Sequence, residues 1–157
     1  MFDFFKKEKP FQGFQGFGGG ASGLAMFSGK AEITGGTKST ARSGYTVHTF
    51  TSSGSLVAPG GIPGSLTAEV LVIGGGGGGG SCAITDAAGG GGGAGALHFI
   101  PSSPIGQDVT IPVTIGSGGN GTGSAYNTGQ QGSSSVWNHP TVPITAIGGG
   151  GGMSTRL

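Results

Sequence analysis

The chain has 157 residues, of which 40 are glycine, with an apolar fraction of 34%, 8% charged residues and a formal net charge of +1. Few side chains are left to fill a core, yet the low charge and the recurring Val, Ile and Thr depart from the charge-rich composition of a disordered chain. The near-neutral balance, with no Lys or Arg between Ser43 and Thr155, argues against a basic nucleic-acid surface, and the single cysteine, Cys82, excludes an intrachain disulfide and a thiolate zinc cluster.

The opening MFDFFKKEKP carries charges where a secretory signal needs its apolar run, and no stretch approaches the 18 apolar residues of a membrane span. Seven of the nine phenylalanines precede residue 28. Within FQGFQGFGGG, Phe11, Phe14 and Phe17 recur every three residues with Gly13 and Gly16 between them, a spacing that an extended three-per-turn helix aligns on one face. Residues 1–29 therefore read as an extended Phe/Gly-rich anchoring arm. Phe2, Phe4, Phe5, Phe11, Phe14 and Phe17 are its candidate docking anchors, laid into a groove of another protein or another copy, with Lys6, Lys7 and Lys9 at the rim. The alternative is that Phe2, Phe4 and Phe5 fold back on the chain's own sheet.

Residues 30–157 carry β signals and form the expected glycine-rich domain. YTVHTFTSSGSLVAP is β-branched with a turn-like Ser-Ser-Gly cluster at 52–54, which predicts a hairpin over 45–59. LTAEVLVIG ends in a continuous apolar run, as in a strand covered on both faces. GALHFIP follows, then DVTIPVTIG, with Val109, Ile111, Val113 and Ile115 on one face. PTVPITAIG aligns Val142, Ile144 and Ala146. Pro112 and Pro143 remove ladder donors and predict edge strands.

Three strands run directly into glycine, at VLVIGGGGGGG, VTIGSGGNG and ITAIGGGGG, and a fourth run from Gly89 leads into a strand from the other side. Ordering the twelve glycines of the runs at 74–80 and 89–93 costs about 6 to 12 kcal/mol relative to alanine, at roughly 0.5 to 1 kcal/mol each. Mobile loops would avoid that cost. The ordered alternative is the left-handed three-residue helix without internal hydrogen bonds, in which each amide finds its partner on a neighbouring segment and only glycine lets the segments touch. The predicted fold is accordingly all-β: a small β-sandwich combined with polyglycine II-like helices, preceded by the extended arm.

The order of these pieces resembles the glycine-rich domain of bacteriophage tail fibres and tail-appendage proteins, of the marine cyanophage type. The matching residues are Tyr45, Val47, His48 and Phe50, then 69–74, then Gly93, Ala94 and Gly95, then 113–119 and 146–152. The resemblance implies a virion structural protein, a tail fibre or a tail or neck appendage component, made in the host cytoplasm and held on the particle through its N-terminal arm. Its expected partners are other virion proteins and further copies of itself, with a trimer favoured. Members usually continue past the last glycine run, whereas this chain stops at MSTRL, so a piece of a longer fibre is also expected.

Catalytic signals are missing: FSGKAEIT lacks the rest of a phosphate loop, no GxSxG elbow occurs, and His48, His98 and His139 are far apart in sequence. The expectation is no enzyme, no cofactor and no metal. The competing functional reading is a host-binding adhesin whose Gly/Ser/Asn-rich loops present Tyr126, Trp137 and His139 to a surface glycan or protein, although Trp137 also suits a core.

Overall fold

The structure is a computed structural model that describes residues 31–62, 64, 66–82, 88–123 and 127–154. The 1–29 arm with its six candidate phenylalanines, and Tyr126, lie outside the described residues. Those described are all-β, with eight strands: β1 Thr37–Ser39, β2 Val47–Thr49, β3 Gly54–Ala58, β4 Thr67–Ile73, β5 Leu97–Pro104, β6 Val109–Thr114, β7 Ser135–Trp137 and β8 Ile144–Ala146. They form an antiparallel four-stranded sheet ordered β3-β6-β7-β8 and two ribbons, β1-β2 and β4-β5.

Period-two alternation places the core. Leu56 and Ala58 of β3 pair directly with Ile111 and Val109 of β6, and Trp137 of β7 pairs with Ile144 of β8. The inner face of β4, Val70 and Val72, packs into the same cluster with Ile62, Ile105 and Ala146, giving a two-layer, sandwich-like body. Burying each large aliphatic member stabilises the fold by about 1.5–3 kcal/mol, which makes this small set the side-chain core.

Three sequence expectations are corrected. The 45–59 hairpin does not form: β2 pairs with β1, whereas β3 pairs with β6, because the buried Leu56 and Ala58 match the apolar face of β6 and not the exposed β2. Among the described residues β4 is covered on one face only; Leu71 and Ile73 are 56% and 55% exposed. Pro112 lies in β6, an interior strand between β3 and β7. It is tolerated because pairing of β6 with β7 stops at Val113–Trp137, so the missing donor falls just past the end of β7. The Pro112 carbonyl on that side still accepts from Asn138 N–H at 3.0 Å. Pro143 immediately precedes β8, which is an edge strand as expected.

Candidate functional site

Beyond the strands, five glycine-rich segments lie side by side: 74–81, 89–96, 115–122, 127–134 and 147–153. Their backbone bonds step by three residues. The amides of Gly74, Gly77 and Gly80 donate to the carbonyls of Ala96, Gly93 and Gly90 at 2.8–2.9 Å, and those of Gly75, Gly78 and Ser81 donate to Ser133, Gln130 and Asn127 at 2.8–3.0 Å. The Gly76 and Gly79 carbonyls accept from Gly119 and Thr122, and the Gly75 and Gly78 carbonyls accept from Gly149 and Gly152. The 74–81 segment is therefore the hub, antiparallel to 89–96 and 127–134 and parallel to the other two.

The outer segments bond one another in the same rhythm. Gly90, Gly93 and Ala96 donate to Met153, Gly150 and Ile147; Gly129 and Gly132 donate to Gly152 and Gly149; Gln130 and Ser133 donate to Asn120 and Ser117. Around the hub the order is thus 89–96, 147–153, 127–134, 115–122, each touching the next. Among the described residues these four segments flank the hub, and one side of it, between 115–122 and 89–96, is left open.

Steric contacts follow the same rhythm. A Cβ on Gly74 or Gly77 would overlap the carbonyl oxygens of Ile147 or Gly150, and one on Gly75 or Gly78 would overlap those of Ser117 or Asn120. On Gly76 and Gly79 the nearest atoms are the Gly93 and Gly90 oxygens, at an ordinary 3.8 and 3.7 Å. Those two residues face the open side. Their amides, and the carbonyls of Gly77 and Gly80, have no hydrogen-bond partner among the described residues.

The hub runs straight on from β4, whose outer face, with that of β5, is also uncovered among the described residues. There Leu71 pairs with Phe99 and Ile73 with Leu97, and all four are 55–62% exposed. At the far end of β4, Arg42 bonds Glu69 at 2.8 Å and lies 3.7 Å above the Tyr45 ring. The Arg42 hydrogen bond holds the Glu69 carboxyl below its ordinary range, and Glu69 in turn raises the guanidinium.

Trp137 and His139, read from the sequence as receptor contacts, are 7% and 5% exposed, with their rings stacked at 6.3 Å between centroids. The Thr141 and Val142 amides donate to His139 Nδ1 at 3.2 and 3.3 Å, which leaves the ring hydrogen on Nε2. Neither His139 Nε2 nor Trp137 Nε1 has a partner among the described residues. A receptor reaching either side chain would have to open the body. Trp137 lies in β7, whose three residues are too few for a periodicity to register, whereas His139 lies in the connection from β7 to β8, a loop as the sequence predicts.

Among the described residues no group of three His, Cys, Asp or Glu side chains could hold a metal ion, and no helix is long and apolar enough to cross a membrane. A shallow groove lined by Thr37, Thr49, Phe50 and Ser53 carries no titratable side chain. His48 sits on β2 with Nδ1 at 2.8 Å from the Gly35 carbonyl, and Cys82 is half-buried. A family model described as a glycine-rich domain matches residues 51–157. No curated protein and no solved structure matches the chain.

Proposed function

We propose, from the premise that this chain belongs to the glycine-rich domain family, that it is a structural component of a bacteriophage virion, a tail fibre or tail or neck appendage held on the particle through residues 1–29. The observation that carries this reading is the glycine body itself. Seven consecutive glycines form its hub, and their amides and carbonyls bond laterally at a three-residue spacing, with no backbone bond within a segment among the described residues.

We read the five segments as polyglycine II helices. That conformation has three residues per turn and no internal hydrogen bonds, and close packing of such helices requires glycine at the contact positions. At about 3.1 Å per residue the hub spans roughly 22 Å, the length of a six-residue strand, so strands and glycine rods make one rigid block. Such a block suits a load-bearing element better than a reaction centre, since among the described residues its contacts are made largely by backbone. The part of the resemblance to phage appendages that names a particle rests on the order of the sequence pieces.

In this assembly Phe2, Phe4, Phe5, Phe11, Phe14 and Phe17 serve as anchors on other virion proteins, and the glycine domain is present in several copies, a trimer being the expected arrangement. Deleting residues 1–29 tests the proposal. Virions assembled with the truncated chain lose the protein while the purified domain keeps its β circular dichroism; retention of the truncated chain on the particle contradicts the anchoring role.

A further inference from the structure

The glycine hub with its open side follows directly on β4, whose outer face with that of β5 is bare among the described residues, and we infer that a second copy of this chain covers both, contributing a strand-then-glycine segment. The inference rests on the polyglycine II reading of the hub and deepens the homo-oligomer proposed above by naming its interface.

Two independent features point to that occupant. On the strand half, Leu71, Ile73, Leu97 and Phe99 stand on one face more than half exposed. At about 100 Å² of exposed surface each they present roughly 400 Å², at the size where apolar patches on soluble proteins mark contact sites. On the glycine half, Gly76 and Gly79 amides and Gly77 and Gly80 carbonyls repeat every three residues without partners among the described residues. Only a backbone with the same repeat meets them in register, and only glycine comes close enough to do so. The partner must therefore be apolar along a strand and then turn to glycine.

Among the described residues this chain builds that unit three times, at β4, β6 and β8, and the β4 unit with its hub is the one that keeps an open side, so a second copy brings its own β4 unit to this face. Area and charge agree. Adding a glycine row of about 22 Å by 10 Å brings the surface to roughly 600 Å² per copy, so that a pair clears the ~1,000 Å² expected of a specific interface. Among the described residues the face carries no charged side chain of its own; Glu69 at its margin is paired with Arg42, and a net charge of +1 gives copies little mutual repulsion.

Sedimentation velocity of the full chain between about 1 and 100 μM tests this, with three variants beside it. Gly76→Val projects into the open side, where its Cβ meets the Gly93 oxygen at an ordinary 3.8 Å, and Leu71→Ser with Phe99→Ser removes the apolar half. Ile147→Ser is the control, because Ile147 is 62% exposed but belongs to the segment on the opposite side of the hub. The wild type and the control self-associate; each of the other two weakens association at least tenfold with unchanged circular dichroism.

A wild type that stays monomeric throughout, or variants that associate as the wild type does, overturns the inference. So does protection of the Gly76 and Gly79 amides in a monomer at the lowest concentration, which would mean that the chain covers this face itself. Fast exchange at Gly78 would instead remove the polyglycine II reading, whereas a protected Gly78 in a monomeric wild type removes only the interface.

Discussion

The carbonyl oxygen of Gly150 occupies the volume that a Cβ on Gly77 would need, while the Gly77 amide donates to Gly93 at 2.8 Å. One residue is thus fixed by two neighbours, and both contacts are backbone. Every filled side of the hub repeats the arrangement three residues on, and this is where the cost of ordering so many glycines is offset.

Alanine substitution along the hub is therefore expected to depend on position with a period of three. Gly77→Ala and Gly78→Ala force backbone against backbone and destabilise the fold by on the order of 3 kcal/mol or more. Gly76→Ala, with its nearest neighbour at 3.8 Å, stays within about 1 kcal/mol of the wild type. Urea melts of the three variants give the comparison, and equal stability of all three would mean that the rods do not touch as described.

Trp137 is the largest member of the core, and its indole N–H is buried without a partner among the described residues. Trp137→Ala should cost about 3–5 kcal/mol. Trp137→Phe keeps most of the buried ring, removes the unpaired donor, and should cost less than half as much. Denaturant midpoints measure both. A Trp137→Ala chain as stable as the wild type would instead fit an exposed contact residue.

The Arg42–Glu69 pair clips the segment between β1 and β2 onto β4. Because the folded-state Glu69 carboxyl is held below its ordinary range, its contribution is complete above the ordinary carboxylate value of about 4.3 and disappears as pH falls through the depressed one. Both groups lie at the surface, so the effect is small. Glu69→Gln should abolish that acid-side component and raise proteolysis near residues 40–45, with no change in the melting of the glycine body. An unchanged acid limb in Glu69→Gln would remove the clip.

Much of this architecture was legible in residue order, and the misses have particular causes. β4, β5, β6 and β8 announce themselves through β-branched runs, and Val109, Ile111 and Val113 share a face as their alternation requires. β1 and β7 are three residues long, too short for a period of two to register. The pairing of β3 with β6 and not with its chain neighbour is a long-range choice made by Leu56 and Ile111, which no local turn signal encodes. Pro112 misled because a missing donor matters only where a partner strand runs beside it.

At the site, the glycine runs were the clearest signal, since seven in a row exceed any turn and pointed to close backbone approach or a mobile loop, of which the structure shows the first. The exposed Leu71 and Ile73 were not legible. An apolar run reads the same whether its second face is covered by its own chain or lies open. Trp137 looks like a loop residue in a Ser- and Gly-rich context, His139 is one, and the burial of both depends on where β7 docks between β6 and β8.

Residue-by-residue amide exchange across positions 74–80 tests the lateral bonding of the glycine hub most directly. The account predicts strong protection at Gly75, Gly77 and Gly78, whose amides are bonded to Ser133, Gly93 and Gln130. Uniformly fast exchange along the run, at the rate of an unstructured peptide, would contradict it and leave a flexible spacer in place of a packed body.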